Sequence, residues 1–350
     1  MKKKLFATIA LTLSALTLVA CGSANQTLTF SPNWEKTIIS EAATATEEEL
    51  TYLVEHEEKT FLHKDFYNVK YCYADGAKKA GVYTTKLEYL TNSTYRYTTS
   101  LTLDVTFILA SGESVTKTDT VASEVIFKKA DASLQPITSK KTVKAHAPRD
   151  EDVTALENVY DEEGKLTQVG AYVEYDYEFF IEYADDLSGG KLTKTDNSKY
   201  HTLGLKDDKK EIPFSIDDEK YTYLDNEQYL FALRGVSSEQ LASASKTVSI
   251  YNASLTTMET VATTPAAAAK TNFELLLNGE KKTHEIEYVP LTIKTNNKNS
   301  NLSHTLWYAK TTDSNNNQFR NVLLKMSVPM HFGLGTLQYK LQSATFCKEN

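Results

Sequence analysis

The sequence predicts an α+β protein: one large, curved, half-barrel-like antiparallel β-sheet, with an N-terminal helix and a few short helices covering its concave face. Three observations carry that expectation. The composition leans toward strands, with 21 tyrosines and 14 phenylalanines among many threonines and valines, side chains that fit a pleated, half-buried surface. The stretch AYVEYDYEFFIEY alternates from Ala171 to Tyr183, with Ala171, Val173, Tyr175, Tyr177, Phe179, Ile181 and Tyr183 on one face. Its other face carries Tyr172, Glu174, Asp176, Glu178, Phe180 and Glu182. At ~3.3 Å per residue this segment reaches roughly 43 Å, which suits a large bent sheet better than a small compact barrel. Finally, helix start and stop signals cluster late in the chain, where they interrupt the β texture.

The chain opens on Lys2, Lys3 and Lys4, followed by an apolar run from Leu5 to Ala20 that is too short to span a bilayer comfortably. The run ends in Leu18-Val19-Ala20-Cys21-Gly22, which resembles the lipobox of bacterial lipoproteins. The resemblance implies a signal peptide over 1–20, cleavage before Cys21, acylation (palmitate) of its thiol and anchoring on the outer face of a bacterial cell membrane. Two or more acyl chains hold a protein there, because each buried methylene adds about 0.8 kcal/mol. Residues 21–45 lack a period and are rich in small polar side chains, so they are expected to form a flexible tether. Residues 46–350 form a single large β-rich domain, and the charged stretch 146–168 is where it would divide.

Within TEEELTYLVEHEEKTFL, Thr46 and Glu49 form a capping box, and Leu50, Leu53, Val54, Glu57 and Phe61 follow helical spacing, which predicts the N-terminal helix. From Phe66 to Ala145 the period becomes two. Strand-like runs there are broken by Asp75-Gly76, Asn92-Ser93, Ser111-Gly112 and Asp131-Ala132, the turn signals of an antiparallel meander. Asp225 with Gln228 and a stop at Gly235 predict one late helix. Ser237 with Gln240 predict a second, and Thr264-Pro265 before an alanine run a third. The β texture then returns around Asn278-Gly279, a strong two-residue hairpin signal.

No catalytic or metal-binding signature emerges. The carboxylates of the 171–183 strand stand too far apart along one strand to share a calcium ion unaided, and His56 and His63 lack metal-helix spacing. Ser188 with Lys191 and Ser243 with Lys246 match S-x-x-K, but the companion motifs are missing. A net charge of −8 argues against a nucleic-acid partner. No cofactor is expected, and the chain reads as non-enzymatic. Beyond Cys21, Cys72 and Cys347 remain; in an exported chain they either bridge or stay as two buried thiols.

Two further stretches, SEVIFKKADASLQPI (123–137) and DNEQYLFALRGV (225–236), together with the overall layout, resemble LolA-like half-barrel lipoprotein carriers and related uncharacterised cell-envelope proteins. The resemblance implies a concave apolar surface that holds an acyl chain or shields a partner's hydrophobic segment. The leading expectation is therefore an apolar or lipid-like ligand on the tyrosine-rich face, at Tyr175, Tyr177 and Phe179. The other is a surface adhesion or interaction module with a filled core, binding protein or glycan through exposed aromatics.

Overall fold

The computed structural model of the chain describes residues 47–57, 70–72, 79–130, 133–149, 153–163, 165–198, 205, 207–216, 223–235, 246–295, 303–310, 321–329 and 335–347. The first half of the chain supplies β1 (Glu47–Glu57), β2 (Lys70–Cys72), β3 (Lys79–Thr91), β4 (Thr94–Ile108), β5 (Ser114–Ala130), β6 (Ser133–Pro148), β7 (Val159–Tyr160) and β8 (Leu166–Gln168). The middle supplies β9 (Tyr172–Tyr183), β10 (Gly189–Asp196), β11 (Lys209–Ser215), β12 (Tyr223–Asp225) and helix α1 (Tyr229–Ala232), which runs on as a 3₁₀ turn, Leu233–Gly235. The last part supplies β13 (Lys246–Asn252), β14 (Thr257–Pro265), β15 (Ala269–Leu277), β16 (Glu280–Thr295), β17 (His304–Ala309), β18 (Leu323–Pro329) and β19 (Thr336–Cys347).

Seventeen of these strands join one sheet. One arm runs outward from β1 through β3, β4, β5, β6, β9 and β10 to β11, each neighbour antiparallel. The other side of β1 pairs with β19, and the path continues through β18, β17, β16, β14 and β13 to β12. β15 closes the structure. It pairs with β16 along one edge, and on the other its Leu276 and Leu277 run parallel to Ser343 and Ala344 of β19. Strands β15 to β19 thus form a closed ring of hydrogen-bonded neighbours.

Period-two alternation explains why these segments pair as they do. In β9, Tyr175, Tyr177, Phe179, Ile181 and Tyr183 point into a core, and the residues between them are more exposed. The hairpin turns read from sequence carry the backbone they need: Asn278 and Gly279 have φ of 49° and 87°, the left-handed pair that a two-residue turn between twisted strands requires.

The main core is built around α1. Phe231 packs with its ring centroid 4.8 Å from Tyr97 and 5.7 Å from Phe127, the Tyr308 hydroxyl donates to the Leu230 carbonyl at 2.8 Å, and Arg234 forms a buried ion pair with Glu48 of β1. A second core lies on the inner face of β6, β9 and β10 against Tyr251 of β13. A third, smaller one seats Ala171 and Tyr172 on Val105, Phe107 and Leu109; the 153–172 segment packs there and carries the β7–β8 ribbon.

This architecture corrects the expected fold class. The protein is almost all β and closed, not an α+β half-barrel with helices over a concave face. The predicted N-terminal helix is strand β1. Leu50, Tyr52 and Val54 are buried at period two, and pairing on both edges with β3 and β19 overrides the helical spacing of Leu50, Leu53 and Val54. The alanine run after Thr264-Pro265 is extended: β14 and β15 lie end to end along β16, and the Ala266 amide donates to the Pro290 carbonyl at 2.9 Å. A helix does follow Asp225, but it is short and interior, and Asp225 does not cap it: Asp225 ends β12, and the N-cap is Gln228, which makes no side-chain capping bond. The helix fills the barrel where it was expected to cover it. The predicted helix at Ser237 lies outside the described residues, as do Asp75-Gly76 and Asp131-Ala132.

Candidate functional site

The strand singled out by sequence lies at the centre of the candidate site. Direct cross-strand partners share a face in an antiparallel pair, so the register aligns rows across β6, β9, β10 and β11. One row is Lys141, Phe179, Lys194 and Lys210; the next is Ser139, Ile181, Leu192 and Ile212. Tyr175, Tyr177 and Phe179 are 5%, 2% and 1% exposed. Their rings pack against protein: Tyr177 and Phe179 sit 5.3 Å apart. Further along the face, Tyr251 stacks on Phe214 at 3.9 Å and 12°, and Tyr183 meets Phe214 edge-on.

The outward face resolves the carboxylate stripe. Lys144 pairs with Asp176 at 3.1 Å, Lys140 with Glu178 at 2.7 Å and Lys191 with Glu182 at 3.2 Å. Lysines from the two flanking strands neutralise these three of its four acids, so this part of the stripe is a solvated ion-pair ladder. Among the described residues no cluster of His, Cys, Asp and Glu has the makings of a metal site, and no helix is long and apolar enough to cross a membrane.

Where the second core meets the start of α1, a notch of about 10 Å³ opens, room for about one water molecule. Phe179 and Ile181 form its floor; Ser139 and Lys141 of β6 and the Asp225–Glu227 turn form its walls. Asp225 ends β12 and is fully buried. It accepts hydrogen bonds from the Tyr183 hydroxyl at 2.5 Å and the Glu227 amide at 2.8 Å. Burial first, then the charge of Glu227, pushes its carboxyl up to about 6. Lys141 reaches Glu227 at 2.8 Å, and so does the Asn226 side chain, at 2.8 Å. Among the described residues, the buried Asn226 side-chain oxygen has no hydrogen-bond partner. Sequence reasoning took Asp225 as a helix cap; nothing in the local sequence signals that Tyr183, far away in the chain, reaches it.

Just beyond Phe179 lies Lys194, 9% exposed. Its ammonium donates to the Ser254 carbonyl at 3.1 Å and sits 5.3 Å from the centre of the Phe179 ring. Burial, and next the charge of Lys210, brings this amine down to about 8.

A second polar cluster borders the third core. The Nδ1 of His146 lies 2.7 Å from Asp119, whose carboxyl is raised, chiefly by burial. The Tyr172 hydroxyl donates to Glu157, and Lys117 pairs with Glu157 at 2.7 Å. Lys117 thus ties the 153–172 segment to β5, and the edge of the His146 ring on Tyr172, with centroids 5.2 Å apart, ties it to β6. The S-x-x-K match at Ser188 falls at a turn, and its Lys191 belongs to the ion-pair ladder.

The remaining sequence-predicted residues are placed only in part. Cys21 lies outside the described residues. The backbones of Cys72 and Cys347 belong to β2, against β4, and to β19, against β1; their side chains lie outside what is described.

No family model matches the chain, and no curated protein matches it. Among solved structures, the chain is similar to a β-barrel-like protein of a domain of unknown function, DUF1849, from Brucella abortus. The sequences are 6% identical, the TM-score is 0.46, and the match covers 87% of this chain and 99% of that one.

Proposed function

We propose that this protein is a non-enzymatic interaction module, carried on the outer face of a bacterial cell membrane by acylation of Cys21, and that it holds a protein or glycan partner on its β-surface. The observation that supports this reading is the packing of Tyr175, Tyr177 and Phe179, buried in a filled core beside a notch of about 10 Å³. Small-molecule sites are generally ~300–1,000 Å³, so the notch beside these rings is too small for an acyl chain. Surface-exposed apolar side chains such as Tyr89, Ile137 and Leu276 are available for contact.

The test is native mass spectrometry and lipid extraction of protein purified without its anchor, followed by titration with a fluorescent fatty acid. Empty protein and no uptake are expected, together with retention on a glycan or protein array after delipidation. A co-purifying lipid, or silence on every array, overturns the reading. For the anchor, Cys21→Ser is expected to release the protein from the membrane fraction; retention of this variant sinks the address. One observation favours a second reading, an apolar ligand: Phe179 and Ile181 form the notch floor, so displacement of the Asp225–Glu227 turn would expose aromatic surface. Saturable fatty-acid uptake that is lost in Phe179→Ala would select it.

A further inference from the structure

The row Lys141, Phe179, Lys194, Lys210 places three cations on one face of four neighbouring strands. Lys141 has its counterion in Glu227, at 2.8 Å. Lys194 and Lys210 stand directly opposite each other on antiparallel strands, where side chains leave the backbone ~5 Å apart and like charges are destabilising. Lys194 is buried, yet among the described residues the partners of its ammonium are the Ser254 carbonyl and the Phe179 ring. A lysine ammonium has three N–H donors, so one bond to Ser254 leaves two unused. No carboxylate among the described residues pairs with either Lys194 or Lys210. A charge taken out of water is normally paired, and here the missing partner is an anion.

We propose that Lys194 and Lys210 form a binding site for an oxyanion, the carboxylate or phosphate group of a ligand that settles between β10, β11 and the Ser254 turn. Lys194 supplies the desolvated, fixed donors and Lys210 the solvent-facing charge that draws the anion in. This site adjoins the notch, whose lining includes Phe179 and Ala253, the neighbour of Ser254, and it does not depend on the identity of the protein or glycan partner proposed above.

The test is calorimetric titration of the full chain at neutral pH with inorganic phosphate and, separately, with octanoate. It compares the wild type with Lys194→Met, Lys210→Met and Lys209→Met. Lys209 is the next residue of β11 and pairs with Thr195, on the opposite face, so its variant changes the net charge equally without touching the site. Binding to the wild type is expected, with an affinity loss of about tenfold or more in Lys194→Met and Lys210→Met, the worth of one charged hydrogen bond, and little change in Lys209→Met. Phosphate binding alone assigns a phosphate group, octanoate alone an amphiphile's carboxylate, and both a general oxyanion site. Wild-type silence toward both at roughly 10 mM, or an equal loss in Lys209→Met, overturns the proposal. Lys210 is exposed, so its variant keeps the comparison decisive even if Lys194→Met fails to fold.

Discussion

Two buried cations border different cores of this molecule, and the sheet treats them differently. Arg234, at the end of α1 inside the barrel, is held by both carboxylate oxygens of Glu48, at 2.5 and 2.8 Å, lies over Phe231 at 5.4 Å, and its carbonyl accepts from Asn321 at 2.9 Å. Lys194, in the second core, has a backbone carbonyl and an aromatic ring. The planar, two-pronged guanidinium matches a carboxylate and suits a permanent internal strut, whereas the compact ammonium readily changes its protonation or its partner. A strut ties α1 to β1, whereas Lys194 has no carboxylate partner among the described residues.

The contrast breaks most easily at Arg234. Arg234→Ala leaves Glu48 buried and alone, and is expected to cost about 3–5 kcal/mol in urea unfolding, much of which returns when Glu48 is made Leu in the same chain. A loss no larger than that of Lys194→Met would erase the distinction between the two cations. Asp225 offers the next largest effect. Its carboxyl, raised from 3.8 to about 6, takes up a proton in the folded state before it does in the unfolded one. That contribution is fully present below 3.8 and is lost as pH rises through about 6, worth about 3 kcal/mol. Wild type should therefore lose stability relative to Asp225→Asn between pH 4 and 7, and a constant difference across that range would show an unshifted group.

For Lys194 the sign is reversed. The folded amine, brought down from 10.5 to about 8, sheds its proton first, so stability is gained as pH rises from 8 to 10.5. The gain is about 2 kcal/mol, discounted for the water contact the amine keeps. Lys194→Met should flatten that rise and be at least as stable as wild type at neutral pH; a large loss would make Lys194 a strut like Arg234. The smallest effect belongs to the ladder. Lys144→Ala removes an exposed partner of Asp176 and should cost under about 1 kcal/mol, and less at high salt.

The parts legible in the sequence are those written by near neighbours. Period-two alternation from Lys79 to Pro148 and from Tyr172 to Tyr183 gives strands with the expected faces, and Asn278-Gly279 gives its hairpin, because pleat and turn are local properties. Tyr175, Tyr177 and Phe179 point inward together, as their spacing requires. The parts that escaped depend on distant pairing. In β1, Leu50 and Val54 satisfy a helical period and a strand period at once, and only β3 and β19 decide between them. Barrel closure through Leu276 and Leu277, the interior position of α1, and the meeting of Lys194 with Lys210 and Ser254 all join segments that no local pattern links. The ion-pair ladder also needed register: the acids were visible, but the lysines opposite them belong to other strands.

Strand β1 lies between β3 and β19, so the first described strand takes one of its two neighbours from the last. A chain made from its N-terminus exposes the β1 edge long before β19 exists to cover it, and such distant partners also make for slow folding. The barrel therefore cannot zip shut until β19 has been made, and the β1 edge stays open for as long as that strand is missing.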